Sequence, residues 1–135
     1  MGIADSLFIA ASGMKAQGDR LRVISENIAN AQSTSTTPGG EPYRRKMVYF
    51  ANVLDKEMGM QQVKVIKRGT DPSPFNKRFD PNHPAADAEG YVLYPNVNSI
   101  VEMMDMREAR RGYEANLNMV EVSKAMLNQT LALLK

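Results

Sequence analysis

The chain contains no cysteine and no tryptophan. Without cysteine there is no disulfide framework, no thiolate metal site and no thiol nucleophile. Such a sequence fits a reducing compartment, and equally a secreted assembly that avoids stray disulfides. One histidine is present, His83, with no phosphate-cradling glycine loop and no nucleophile motif. No stretch approaches the ~18 consecutive apolar residues of a membrane span. The N-terminus lacks a basic segment followed by an unbroken apolar core, so no cleaved signal peptide is expected. Aromatic residues are only 7% of the chain, and 17 basic against 15 acidic residues leave a net charge of +2. A nucleic-acid binder would cluster Lys and Arg among aromatics. Neither nucleic acid nor direct membrane insertion is therefore expected.

Proline is missing from both ends. All seven prolines lie between Gln32 and Pro95. The chain of 135 residues, 43% hydrophobic, divides into two proline-free flanks, 1–31 and 96–135, and a different middle, 32–95. The flanks carry heptad stripes. In the last flank Met106, Tyr113, Val120, Leu127 and Leu134 fall seven apart, with Met103, Leu117 and Leu131 on the same face and Arg110 and Lys124 interrupting. In the first, Leu7, Met14, Leu21 and Ile28 repeat at seven, with Ile3, Ala10, Ile24 and Ala31 beside them and Gln17 interrupting. Apolar residues at that spacing belong to helices that lie along other helices.

Asp5 or Ser6 is placed to cap the first helix, and Asn98 or Ser99 the second. Asn27 and Asn30 close the first helix, because Asn favours helix ends over interiors. Gly13 and Gly18 each cost about 1 kcal/mol relative to Ala. They mark either a poor helix or one whose neighbours approach too closely for a side chain. The second helix has a further apolar row, Ala115, Met119, Val122, Met126 and Leu133. Two apolar rows need neighbours on two sides. One N-terminal helix cannot cover both, so packing between subunits is expected.

The middle block opens with a polar linker, 32–40, and then favours strands at 43–50, 61–68 and 91–94. The fold class expected is mainly α with a small β insert: N- and C-terminal helices paired as a coiled coil, with a β-rich middle domain.

Three groupings invite a chemical reading. His83 stands near Asp80, Asp87 and Glu89, as a metal ligand or acid–base pair would; Asp-Pro and His-Pro pairs also shape turns. Arg44, Arg45 and Lys46 read as a solvated strand face, or as a patch for an acidic partner. Arg107, Arg110 and Arg111 are spaced for weak intrahelical pairs with Glu108 and Glu114. No cofactor, metal or catalytic set is expected.

The segments Ala11-Ser12-Gly13-Met14 with Gln17, Leu21 and Ile24, then Asn27-Ile28-Ala29-Asn30, resemble the N-terminal signature of the rod and hook axial proteins of the bacterial flagellum. Glu102-Met103 and Tyr113-Glu114-Ala115-Asn116 resemble that family's C-terminal signature. The motifs Pro42-Tyr43-Arg44-Arg45-Lys46, Asp71-Pro72-Ser73-Pro74 and Asp80-Pro81-Asn82-His83-Pro84 are similar to those of its proximal rod members. The resemblance implies a structural subunit of a hollow helical drive shaft that carries motor torque across the periplasm. Its terminal helices would form the inner layer, and the middle domain the outer. It implies export from the cytoplasm by the flagellar type III apparatus, and as partners further copies and other rod proteins that are FlgB-, FlgF- and FlgG-like. The interface residues it implies, together with the stripes, are Leu7, Met14, Leu21, Ile24, Asn27, Ile28, Asn30, Met103, Met106, Tyr113, Asn116, Leu117, Val120, Leu127, Leu131 and Leu134. The alternatives are a soluble coiled-coil adaptor or chaperone-like binding module, and a small metal-dependent enzyme at His83.

Overall fold

A computed structural model describes residues 2–134. Met1 and Lys135, the outer ends of the two expected helical flanks, lie outside them. A long helix stands at each end of a small β insert: α1 (Ile3–Ala29), β1 (Lys46–Asp55), β2 (Met60–Thr70), β3 (Asn76–Phe79), β4 (Tyr91–Tyr94) and α2 (Ser99–Leu133). The strands form two two-stranded sheets, β1 with β2 and β3 with β4.

Helix α1 starts at Ile3 because Gly2 supplies the cap position. Asp5 sits three residues further on, and its Oδ2 accepts the Gly2 N–H at 2.9 Å. Asp5 is therefore the back-reaching half of a capping box rather than the cap itself. At its other end, Asn30 Nδ2 donates to the Glu26 carbonyl at 2.8 Å and covers one orphan acceptor of the last turn. Helix α2 is capped by Asn98, whose Oδ1 accepts the Ile100 and Val101 N–H groups at 3.1 and 3.4 Å.

The β1–β2 hairpin closes through a turn in which Gly59 has φ +67° and donates its N–H to the Asp55 carbonyl at 2.8 Å. Strand β3 was not among the expected strands. It pairs antiparallel with β4, Asn76 opposite Tyr94 and Phe79 opposite Tyr91. Its sequence, Asn-Lys-Arg-Phe, is wholly exposed and carries no alternation to betray it.

The chain forms two compact units, each drawn from distant parts of the sequence. The first comprises Met1–Leu21, Val48–Lys67 and Arg107–Lys135; the second comprises Arg22–Met47 and Arg68–Met106. In the first unit α1 and α2 run antiparallel. Gly13 lies against Asn116, Gln17 against Gly112, and Arg20 reaches Glu108 at 3.7 Å. The hairpin joins this unit through the Val63 N–H, which donates to Ser12 Oγ at 3.3 Å. The buried helix positions of the unit are small, Ala10, Gly13 and Ala16 on α1 and Ala109 and Ser123 on α2, and Gln62 of β2 is also buried in the same unit.

The two glycines of α1 differ. A Cβ on Gly13 would stand 2.7–2.9 Å from the Asn116 amide, whereas one on Gly18 would meet nothing within 4 Å. Gly13 is thus a close-approach glycine and Gly18 is not, within this chain. Gly18→Ala should stabilise the purified chain by about 1 kcal/mol in urea unfolding. Gly13→Ala should lower the midpoint, because Asn116 must give up its 2.9 Å bond to the Gly112 carbonyl. Equal effects at the two positions would contradict the packing described.

Candidate assembly interface

In the second unit, polar side chains hold the linker and strands to the helix ends. Asn27 is buried and uses every polar atom within the chain. Its Nδ2 donates to the Lys46 carbonyl at 2.9 Å, and its Oδ1 accepts the Lys46 N–H at 2.9 Å and the Tyr43 hydroxyl at 2.7 Å. Burial, then Glu26 and Glu102, push the Tyr43 phenol above its ordinary value, which keeps it a donor. Ser33 Oγ in turn donates to Asn30 Oδ1 at 3.1 Å.

Of the basic run at 44–46, Arg44 and Arg45 are engaged and half-buried within the chain, and Lys46 alone is solvated. Arg44 Nη1 donates to the Asp71 and Ser73 carbonyls at 2.7 and 3.0 Å, and its guanidinium lies 4.1 Å from the Phe75 ring centroid. Lys46 pairs with Glu26 at 3.0 Å. Arg45 gathers three carboxylates: Nε donates to Glu102, Nη1 to Asp71 at 3.3 Å, and Nη2 faces Asp105 at 3.8 Å. Its backbone N–H donates to Asn96 Oδ1 at 2.8 Å, and its carbonyl accepts the Asp71 N–H at 2.8 Å.

Glu102 is 0% exposed. It is the most deeply enclosed ion of the unit. Burial works against the Arg45 charge, but Glu102 and Asp71 outweigh it and hold the guanidinium above its ordinary pKa. Bonds from Ser73, followed by Arg45, hold the Asp71 carboxyl below the ordinary aspartate value. Glu108, expected to pair along its own helix, reaches across to Arg20.

His83 belongs to a turn. Its Nδ1 accepts the Ala85 N–H at 3.0 Å, and Asp87 Oδ1 accepts the Glu89 and Tyr91 N–H groups at 2.9 and 3.0 Å. Among the described residues no group of three His, Cys, Asp or Glu side chains converges on a metal position. No helix among them is long and apolar enough to cross a membrane.

The heptad stripes fall beside the intrachain seam. Leu7, Met14, Leu21, Ile28 and Asn30 are half-buried at the edge of α1's contact face, and Ile24 and Asn27 are buried inside the second unit. Met106, Tyr113, Asn116 and Val120 are half-buried on α2. Met103, Leu117, Leu127, Leu131 and Leu134 are exposed, as are Met119, Val122 and Met126 of the second row. From Lys124 to the end of α2 every residue is exposed, Leu133 to 86%, and so is Leu134 beyond it. Small residues make the closest contact with α1, and most of the large apolar ones of α2 are exposed. Large contiguous apolar faces exposed on a single chain are characteristic of interaction surfaces.

Two family models match the ends of the chain. "Flagella basal body rod protein" matches residues 7–35, and "Flagellar basal body rod FlgEFG protein C-terminal" matches residues 88–133. The chain is 51% identical to the flagellar basal-body rod protein FlgC of Agrobacterium fabrum over 127 residues, covering 94% of this chain and 91% of that one. The chain belongs to the flagellar basal-body rod protein FlgC family. Identity to the FlgC of Borreliella burgdorferi is 42%, covering 100% of this chain and 99% of that one. Identity to the FlgC of Salmonella typhimurium is 38%, covering 98% of each. The two matched segments contain α1 from Leu7 onward and all of α2.

Proposed function

We propose that this chain is a structural subunit of the proximal rod of a bacterial flagellar basal body. The observation that carries the reading is the uncovered apolar face of α2 in a chain whose relatives are rod proteins by name. Copies polymerise into a hollow helical shaft that crosses the periplasm and transmits torque. Residues 1–31 and 96–135 form its inner layer as a coiled coil, and residues 32–95 its outer layer. The chain performs no catalysis.

Ile24 and Asn27 hold the chain itself together, whereas Met103, Leu117, Leu127, Leu131 and Leu134 are available to neighbours. On α1, Ala4, Ala11, Gly18 and Ser25 fall seven apart on its outward side. Nothing in the chain offsets the cost of Gly18, and a smooth row of this kind accepts a large apolar row from another subunit. Contacts between unlike surfaces propagate into open helical assemblies rather than closed dimers. The neighbours are further copies and FlgB-, FlgF- and FlgG-like proteins, reached after export by the flagellar type III apparatus without a cleaved signal.

Deletion of the gene in its own bacterium should leave basal bodies without a complete rod, and non-motile cells without hooks or filaments. The intact gene supplied in trans should restore both. Normal flagella in the deletion strain would overturn the assignment.

A further inference from the structure

Two exposed patches, one in each compact unit, complement one another. In the second unit Phe79 is 66% exposed and Tyr91 is also exposed, their rings edge to face with centroids 5.3 Å apart. Gly90 supports this pair from beneath. It has φ +90°, and a Cβ there would stand 3.0 Å from Phe79 Cε2 and 3.2 Å from Pro81 Cγ. The aromatic platform is thus preorganised, as residues that anchor interfaces are. Its rim is acidic. From residue 79 to 106 the sequence has five carboxylates and no Lys or Arg. Arg45 engages Glu102 and Asp105. Asp80, Asp87 and Glu89 remain exposed around the platform, with Lys77 of β3 close enough to Asp87 to offset part of that charge.

The first unit carries the counterpart. One part of the hairpin is joined to α1 at Ser12 and Val63. Ile66 on β2 is 59% exposed, with Lys64 and Lys67 on either side. Strand β2 contains no carboxylate. Lys67 lies 5.8 Å from the ring centroid of Tyr49, itself exposed. One patch has an aromatic centre and an acidic rim; the other has an aliphatic centre and a basic rim. An apolar centre inside a polar rim is the ordinary anatomy of a protein interface, and opposite rims fix partner and register.

We infer that the Ile66 face of the β1–β2 hairpin of one copy docks on the Phe79–Tyr91 platform of a second copy. The inference rests on the reading of the chain as a polymerising subunit and adds a contact made outside the two long helices. It is heterologous, so each copy offers one hairpin and one platform to different neighbours.

The absence of cysteine makes the contact testable by single-cysteine chains. Lys64→Cys and Glu89→Cys are expressed together in the deletion strain, and isolated basal bodies are treated with a short bis-maleimide. A band at the mass of two chains is expected from the mixture and from neither variant alone. Because each chain carries one cysteine, that band reports contact between copies only. Intact basal bodies yielding only monomer would overturn the docking, and so would a dimer from one variant alone or an adduct with a different protein. Lys67→Cys with Asp80→Cys serves as the second pair if either first variant fails to swim. Independently, Lys64→Glu with Lys67→Glu should reduce swarm diameter, and adding Asp80→Lys and Glu89→Lys to the same chain should recover it. No recovery would also count against the docking. Flagella that form in the deletion strain would instead defeat the rod reading, so the two failures are distinguishable.

Discussion

Swimming should stop when Leu127 is replaced by Asp, while the purified chain should unfold at an unchanged urea concentration. Leu127 is 39% exposed and lies in the stretch of α2 that is exposed throughout. Within one chain its side chain has little packing to lose. Buried against a neighbour, the leucine contributes about 2 kcal/mol of transfer free energy. A carboxylate forced into the same place without a partner costs several kcal/mol more. Every copy in a polymer carries the lesion at each such contact, so the assembly loses far more than one contact. Tyr113 is a poorer probe, because it is half-buried within the first unit and its replacement would also weaken the chain. The measurements are swarm diameter, counts of rods in purified basal bodies, and the urea midpoint. Undiminished swimming would remove Leu127 from the interface. A large fall in the midpoint would show that the residue supports the fold rather than the assembly.

The opposite pattern is expected at Arg45. Arg45→Met should cost the purified chain about 3 kcal/mol, because it leaves a buried carboxylate without its cation. The carboxylate at stake is Glu102, which is fully enclosed and has one oxygen, Oε2, with no hydrogen-bond partner even when Arg45 is present. Adding Glu102→Met should return most of the loss, since a well-filled apolar pair can replace a buried ion pair at little cost. A loss of less than about 1 kcal/mol would place Arg45 among ordinary surface partners. The tie also sets an acid limb. The Asp71 carboxyl is held below its ordinary value, first by the Ser73 bonds and then by Arg45. Its contribution to stability is present above the unfolded-state pKa, near pH 4, and is lost as pH falls through the lower folded-state value. Asp71→Asn should therefore lower stability at neutral pH and flatten its fall in acid.

Much of the architecture was legible from punctuation. The proline-free flanks marked both long helices, and Asn98 before the apolar run marked the start of α2. Strand β4 was read at its observed bounds because Tyr91-Val92-Leu93-Tyr94 lies between Gly90 and Pro95. Strand β3 was missed because what holds it is a cross-strand pair, Phe79 with Tyr91, rather than a local pattern. The Arg45 tie was missed for a related reason. Arg45 and Glu102 are 57 residues apart, and no local spacing predicts which charges meet after folding.

The helix stripes were legible as apolar but not as to what faces them. A heptad count cannot say that Ala10, Gly13 and Ala109 would make the intrachain contact while Met103 and Leu131 stay outside. The two glycines of α1 look alike in sequence, and only the position of Asn116 separates them.

The span between Arg45 and Glu102 also sets a schedule. A chain made from its N-terminus presents Arg45 early and Asp105 only after most of its 135 residues are joined. Until then the guanidinium has neither carboxylate of α2, although Asn27 can already gather Tyr43 and Lys46. Closing so long a loop is slow relative to local helix formation. The second unit is therefore completed late, when the start of α2 arrives. A fragment that ends before α2 should remain open around Arg45, exposed to proteolysis before it can compete with whole chains for a place in an assembly.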